Sequence, residues 1–533
     1  MARIETMSYD FPGMRKDGAI YVDKTQVMYD LIASAPTVGF YFISRPRRFG
    51  KSLMISTLDS LFRGRKELFE GLAISKTDYD WPVHPVIRFD FSGISTGSFE
   101  DFRESFQARV FQSLLDAGAN VQPEVLPGIN FDNAIRDLYL KTGRGVVVLV
   151  DEYDAPIGHA LDNLELAQAI RKSMADFYTI LKKNIDKIRF LMMTGVSKFS
   201  QVSIFSALNN IEDLTLDARA ATMLGYTETE LETYFHDAMV THAQRMGLDY
   251  EAYRAKLRFW YNGYHFSPDA LGPEFAVYNP YAIANTLSDC QPYFKATWAS
   301  TGKPSMLMNY LSREQLVKQD YEKLPGITED LMAAADLSSL STIGLLFQAG
   351  YLTIKGFHPD DGYTLGIPDE EIRRDLLTLV TQSIAKHPGS DPWMSETINA
   401  LVSRDFPGFF EHLSALYADL PYHATEGKQV TEAAYLRLLY LLLRSRFSSL
   451  EACFERQQAG ARPDLVLIHP RTIFIFELKV KRDSQSDAAA ALAQIRERNY
   501  AEPLRAHNLP IYAIGLAFDP KTHRLADSAA EAL

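Results

Sequence analysis

Cysteine is nearly absent. The chain has two, Cys290 and Cys453, far apart and neither beside a second Cys or a His at ligand spacing. That argues against a disulfide framework and against a zinc finger. Long apolar runs are missing as well. No stretch approaches the roughly 20 residues that span a bilayer, and the most apolar helical pattern, Tyr435 to Leu443, is broken by Arg437 and followed by Arg444. The opening MARIETMSYDFPGMRKDG has no apolar core of a secretory signal. These absences predict a cytoplasmic protein with no membrane partner. A basic surplus is lacking too: 55 Lys and Arg stand against 67 Asp and Glu, for a net charge of -12. Any polyanion must therefore meet a local basic patch, because the field of the whole chain repels it. Internal repeats and low-complexity tracts do not occur.

What remains is a chain with 47% hydrophobic residues, enough to fold, and a length of 533 residues that suits about three to four domains. Short β-type runs alternate with helical patterns in the first third: GFYFIS (39–44), a helix from Lys51 to Phe62, VIRFDF (86–91), GVVVLV (145–150), a helix from Glu165 to Lys183, and RFLMM (189–193). Strand–helix alternation with a near-continuous apolar run predicts an α/β fold built on a parallel sheet flanked by helices. From about Asp217 the pattern turns helical and stays so to about Ala424. A helix from Glu432 to Arg446 then precedes strands at 465–468 and 472–478, a helix at 488–498 and a strand at 511–518. We expect a P-loop domain at 1–215, a helical lid-like region at 216–310, a helical linker at 311–424 and a C-terminal α/β domain at 425–533.

The first strand runs into RPRRFGKS. A phosphate-binding loop reads GxxxxGK[ST] between a strand and a helix. Gly50, Lys51 and Ser52 match its end, while Arg45 occupies the first glycine position. Gly50 lets backbone N–H groups at the helix start face an anion. Lys51 would reach the β- and γ-phosphates, and Ser52 would bind Mg²⁺. The expected nucleotide set is Arg45, Arg48, Phe49, Gly50, Lys51, Ser52 and Leu53, with Arg47 adding charge. Further on, VVVLVDE places Asp151 and Glu152 just past an apolar strand, as in a Walker B segment. There Asp151 would hold Mg²⁺ and Glu152 would polarise the attacking water. Thr194 ends the next strand at the place of a sensor residue.

The second constellation lies near the C-terminus. Asp464 starts the strand in ARPDLVLIHP, and Glu477 and Lys479 close the strand in IFIFELKV. Residues two apart in a strand share a face, so Glu477 and Lys479 point together while Leu478 faces the core. A hairpin turning at His469–Pro470–Arg471 would bring Asp464 beside them. Two carboxylates can hold Mg²⁺ or Mn²⁺, which acidifies bound water, and Lys479 would orient that water or stabilise the transition state. Glu455 could add a metal ligand, and Gln494 and Tyr500 lie near the same site in the pattern.

These segments resemble the bacterial proteins that join an AAA-ATPase-like domain to a PD-(D/E)XK nuclease domain. The likeness runs through YVDKT (21–25), SRPRRFGKSL, VVLVDEYDAPI, TGVSKFSQVSIFSALNNIEDLT, YNGYHF (261–266), VYNP (277–280) and TWASTGKPS, then through ARPDLVL, FIFELKV and ALAQIRERNYA. It implies nucleotide-binding residues at Lys51, Ser52, Asp151 and Glu152. It implies nuclease residues at Asp464, Glu477 and Lys479, with Glu455 and Gln494 as weaker matches, and a role in defence or mobile-element biology. Related chains also carry arginines in the phosphate loop.

Two readings follow. In the first, the protein binds ATP and cleaves phosphodiesters in nucleic acid, DNA before RNA. In the second, it is a nucleotide-dependent switch whose nuclease-like domain is only a binding platform. Hydrolysis against mere binding of ATP, and assembly into homo-oligomers, stay open. The aromatic cluster Trp260, Tyr261, Tyr264, His265 and Phe266 reads as core, Lys198 as a solvated lysine, and Asn209, Asn210 and Asp213 as caps or nucleotide sensors.

Overall fold

The computed structural model describes residues 3–5, 9–198, 210–288, 291, 293–298, 321–333, 341–385, 390–418, 435–436, 439–440, 443, 451–454, 463–481, 487–522 and 524–533. The chain divides into two compact units, Met1–Tyr310 with Asp320–Glu371, and Leu311–Gln319 with Ile372–Leu533. Among the described residues no helix is long and apolar enough to cross a membrane.

The first unit is built on a five-stranded parallel sheet: β1 (Gly39–Ser44), β2 (Val86–Asp90), β3 (Val146–Asp151), β4 (Ile188–Gly195) and the short β5 (Glu212–Asp213), in the order β2-β3-β4-β1-β5. Every residue of β1 and β3 is buried, as their unbroken apolar runs require for central strands covered on both faces. Helices α1 (Lys51–Phe62), α2 (Phe99–Asp116), α3 (Pro127–Thr142) and α4 (Leu164–Lys183) accompany the sheet. Their ends are written in the sequence. Ser98 caps α2 by accepting the Asp101 N–H at 3.1 Å, Pro127 opens α3, and Asn163 caps α4 through the Leu166 N–H at 3.2 Å. Phe89, Phe91, Phe106, Phe131 and Phe177 interlock beneath α2, α3 and α4, with ring centroids 5.0–6.5 Å apart.

The rest of this unit is largely helical, as expected, with α5 (Glu228–Arg245), α6 (Tyr250–Tyr261) and α7 (Pro280–Ser288). A capping box starts α5: Thr227 accepts from the Glu230 N–H, and Glu230 accepts from the Thr227 N–H. A small antiparallel sheet joins β6 (Tyr226–Thr227), β7 (Asn262–Tyr264) and β8 (Val277–Tyr278). The helical expectation for 311–424 needs correction. Helices occur there, but so does a second antiparallel sheet of β9 (Leu324–Ile327), β10 (Thr353–His358) and β11 (Gly362–Gly366). The reason is local: TIKGFH and GYTLG carry β-formers, and Pro359–Asp360–Asp361 with Gly362 at φ 78° turns the chain between them. The division between the units falls at Glu371 and Ile372.

The second unit carries a mixed sheet in the order β12 (Glu451–Phe454), β13 (Leu465–His469), β14 (Thr472–Val480), β15 (Ile511–Phe518) and β16 (Leu525–Ala532). Only β14 and β15 run parallel, joined by the crossover helix α8 (Ala488–Glu497). Val466, Ile473, Ile475, Leu492 and Ile495 form the core between that helix and the sheet. Of the expected helix at 432–446, residues 435, 436, 439, 440 and 443 are helical and the others lie outside the described residues.

Candidate functional sites

The phosphate loop hangs between β1 and α1. Gly50 is left-handed (φ 95°) at the helix start, a conformation that opens backbone N–H groups at the end of α1. Lys51 is buried, and its Nζ donates to the loop's own carbonyls at Arg45 (2.9 Å) and Pro46 (3.0 Å). Burial pulls its pKa down, opposed by Glu152, Asp151 and Asp154. The parallel register sets Ile43 of β1 against Thr194 of β4 and Val150 of β3 against Met193, so the ends of all three strands converge. There the Thr194 hydroxyl donates to Asp151 Oδ1 at 2.6 Å. Glu152 is held left-handed (φ 51°), an uncommon conformation for a non-glycine residue. Burial raises its pKa, with Lys51 opposing and Asp151 and Asp154 adding to the rise. Lys51, Asp151, Glu152 and Thr194 are therefore brought together. Ser52 and Leu53 lie half-buried in the first turn of α1.

The three arginines of the loop part company. Arg45, expected to hold phosphate, does not offer its side chain to that site. It is 1% exposed, and its guanidinium donates to the carbonyls of Ser44 (2.9 Å), Thr215 (2.8 Å) and Ala220 (3.0 Å) while lying 4.2 Å over the Phe266 ring. Burial pulls its pKa down to about 9, which leaves it cationic at neutral pH. Arg48 (φ 67°) donates to the Tyr9 hydroxyl at 2.6 Å and lies 4.9 Å from the Tyr281 ring. Phe49 is buried edge-on against Tyr264 and Phe266, and its carbonyl accepts from the Gly225 N–H at 3.3 Å. Pro46 packs against Gly350, where φ is 87° and a Cβ would come within 2.7 Å of the proline. The Arg47 carbonyl accepts from Asn279 Nδ2 at 3.4 Å. Each residue of RPRRF is thus gripped by at least one group from outside the sheet. Beside the loop opens a cavity of about 110 Å³, lined among others by Met28, Arg48, Gly50, Leu53, Tyr226 and Tyr281.

Several neighbours carry no readable sequence signal. Asp154 is buried and accepts from the Val196 N–H (3.2 Å), the Ser197 N–H (2.7 Å) and the Ser197 hydroxyl (2.5 Å), tying the loop after β3 to the end of β4. Lys198 is buried, not solvated, and pairs with Asp213 at 2.7 Å. Asn209 lies outside the described residues. In the aromatic cluster Trp260, Tyr261, Tyr264 and Phe266 are buried, as a core reading requires. His265 is half-buried, with Nε2 3.3 Å from the Gly272 carbonyl.

In the second unit the β13–β14 hairpin pairs Leu465 with Phe476, which sets Asp464 beside Glu477. Asp464 Oδ2 accepts the Leu478 N–H at 2.8 Å. Leu478 points into the core, while Lys479 Nζ, on the other face, donates to Glu477 Oε1 (3.1 Å) and to Gln494 Oε1 (2.7 Å). Gln494 Nε2 also donates to Glu477 Oε1, and it lies 3.4 Å from the Tyr500 hydroxyl. Glu477 is 2% exposed, and its Oε2 is buried without a partner. Burial, followed by the charge of Asp464, pushes its carboxyl up to about 7, with Lys479 pulling the other way. A buried carboxylate oxygen left bare beside a second carboxylate suits a divalent cation. Among the described residues no group of three or more His, Cys, Asp or Glu gathers around one point, so the fit rests on Asp464 and Glu477. Glu455, the third expected ligand, lies outside the described residues.

Residues 7–205 match the family described as Predicted AAA-ATPase, and residues 430–528 match the PD-(D/E)XK nuclease superfamily. A protein of Azotobacter chroococcum mcd 1, described as an uncharacterized protein in the vnfD 5′ region, is 32% identical over 527 residues, covering 97% of this chain and 96% of that one. Solved structures matched at low similarity include a chain of Drosophila ORC bound to poly(dA/dT) DNA and Cdc6 (10% identity, TM-score 0.27, 78% of this chain but only 54% of that one). Cdc6p from Pyrobaculum aerophilum also matches (10% identity, TM-score 0.19, 72% and 96%).

Proposed function

From a chain that belongs to the family joining a predicted AAA-ATPase domain to a PD-(D/E)XK nuclease-superfamily domain, we propose an ATP-hydrolysing protein whose C-terminal domain cleaves phosphodiester bonds in DNA with Mg²⁺ or Mn²⁺. The observation that carries the nuclease half is Glu477 Oε2, buried and unpartnered next to Asp464 with Lys479 alongside. Asp464 and Glu477 would hold the cation, which when bound acidifies water and offsets charge on the scissile phosphate. Lys479, steadied by Glu477 and Gln494, then places a positive charge where the phosphate gains negative charge. Buried walls around Glu477 keep that interaction in a low dielectric, where it is worth more than in water.

In the N-terminal domain, the open N–H groups around Gly50 and the Lys51 ammonium suit a triphosphate once Lys51 releases the Arg45 and Pro46 carbonyls. Ser52 and Asp151 would hold the accompanying Mg²⁺. Thr194 fixes the Asp151 carboxylate, and Glu152 is placed to take a proton from water. The cavity lined by Leu53, Tyr226 and Tyr281 gives a flat base an apolar seat next to that loop.

The test is cleavage of linear, circular and single-stranded DNA and of RNA, with Mg²⁺ or Mn²⁺, with and without ATP, beside Lys51→Ala and Asp464→Ala. Cleavage by the wild type that vanishes in Asp464→Ala supports the nuclease, and an ATP effect absent from Lys51→Ala supports control by nucleotide. If wild type and Asp464→Ala are equally inert on every substrate, the nuclease reading is abandoned for that of a nucleotide-dependent switch.

A further inference from the structure

In the ATPase reading Glu152 takes a proton from water, yet no side chain grips its carboxylate. Among the described residues that carboxylate has no hydrogen-bond partner, so its direction is set by its own backbone. That backbone is left-handed (φ 51°), a conformation that a non-glycine residue keeps only where its surroundings impose it. The next two residues do so. The Tyr153 N–H donates to the Thr194 carbonyl at 2.9 Å, and the Tyr153 hydroxyl donates to the Ser197 carbonyl at 2.9 Å. The buried Asp154 carboxylate accepts from three donors just past β4: the Val196 N–H (3.2 Å), the Ser197 N–H (2.7 Å) and the Ser197 hydroxyl (2.5 Å). The fit is close, because a Cβ on Gly195 would lie 2.5 Å from the Tyr153 ring and 2.6 Å from Asp154 Oδ1. Glu152 therefore spans two fixed points. Asp151 before it is bonded to Thr194, and Tyr153 and Asp154 after it are bonded to residues 194–197.

We propose that Asp154 is a positioning residue for ATP hydrolysis: its grip on Val196 and Ser197 holds Glu152 left-handed and so aims the Glu152 carboxylate at the attacking water. The proposal rests on the reading of the N-terminal domain as an ATPase. Asp154 touches no phosphate and moves no proton; it acts through the two peptide units that join it to Glu152. A carboxylate suits the task, since both its oxygens accept and neither donates. An amide of the same shape would set N–H groups against the donors at 196 and 197 and loosen the grip without emptying the space.

The test is steady-state ATP hydrolysis by the full chain, with equilibrium binding of ADP and of a non-hydrolysable ATP analogue and an unfolding midpoint for each variant. The variants are Asp154→Asn, Ser197→Ala, Glu152→Gln, Lys51→Ala and the double variant Glu152→Gln with Asp154→Asn. Asp154→Asn should lower kcat by up to about 10²-fold, the loss expected when a catalytic group shifts by about an ångström, while analogue and ADP bind as in the wild type. Ser197→Ala removes one donor of the three, so its kcat should fall less, and it carries the test if Asp154→Asn does not fold. In the double variant Asp154→Asn should add nothing to the loss from Glu152→Gln, because the group it positions is already gone. The proposal is overturned if Asp154→Asn, or Ser197→Ala where it alone folds, turns over ATP like the wild type. It is equally overturned if analogue binding weakens in step with kcat, or if the two losses multiply in the double variant. A wild type indistinguishable from Lys51→Ala in binding and turnover instead overturns the ATPase reading itself, and the role of Asp154 with it.

Discussion

Arg45 stands at the phosphate loop's first glycine position, yet its guanidinium acts as a strut, and the size of that role can be worked out. Arg45→Ala strips a donor from the carbonyls of Ser44, Thr215 and Ala220 and removes the cation over Phe266. Stranding a buried acceptor costs about 1–3 kcal/mol, and a desolvated cation–ring contact is worth about 1–2 kcal/mol. Against this, the substitution relieves the burial of a charge that no carboxylate among the described residues contacts directly, a saving on the order of several kcal/mol. Water entering the vacated space lowers the cost further. The net expectation is a loss of about 3 kcal/mol, against less than about 0.5 kcal/mol for exposed Arg47→Ala. Arg45→Met, which refills the volume over Phe266 without the charge, should fall between. Urea denaturation followed by tryptophan fluorescence suits the measurement, because Trp81, Trp260 and Trp298 all belong to the first unit and only Trp393 to the second. Equal stability of Arg45→Ala and wild type would refute the strut. So would a variant that stays stable but no longer binds nucleotide, since the guanidinium would then serve phosphate after all.

Two further outcomes follow from the same region. In Gly350→Ala the new Cβ meets Pro46 at 2.7 Å and Trp298 at 2.8 Å from a left-handed backbone; a cost of about 3 kcal/mol and weakened ATP binding are expected, and calorimetry showing wild-type affinity would contradict the wedge. Asp213 gives the pH dependence. Burial raises its pKa, but the charge and hydrogen bond of Lys198, with Thr215, overcome this and hold it below the usual value. A folded pKa below the unfolded value, about 3.9, means a stabilisation complete above that pH and lost as pH falls through the folded value. Urea midpoints from neutral to acid pH should therefore fall less steeply in Asp213→Asn than in wild type, and parallel curves would exclude the pair as a contributor.

Much of both sites was legible because it follows short-range rules. The alternation that puts Glu477 and Lys479 on one face, and the tight turn at 469–471 that returns Asp464, need only a strand period and a hairpin. Asp151 and Glu152 follow from an apolar strand that ends abruptly. Arg45 was misread because its partners, Thr215 and Ala220, come far along the chain and offer carbonyls, which no residue identity announces. Asp154 escaped for a similar reason, since its acceptor role is set by the backbone around Ser197. The strands β9, β10 and β11 were hidden by their shortness among helices, although Asp361–Gly362 carries a hairpin signal.

The grip on the RPRRF loop also bears on how the protein is made. The loop leaves the ribosome early, but the groups that hold it, Thr215, Tyr264, Phe266, Asn279 and Gly350, come much later. At roughly 5–20 residues per second, tens of seconds of translation separate Arg45 from Gly350. Through that interval the nascent chain carries the phosphate-binding letters without the clamp that shapes them. Nucleotide capture thus belongs to the finished unit, and a ribosome stalled before Gly350 holds a chain that has yet to become a nucleotide-binding protein.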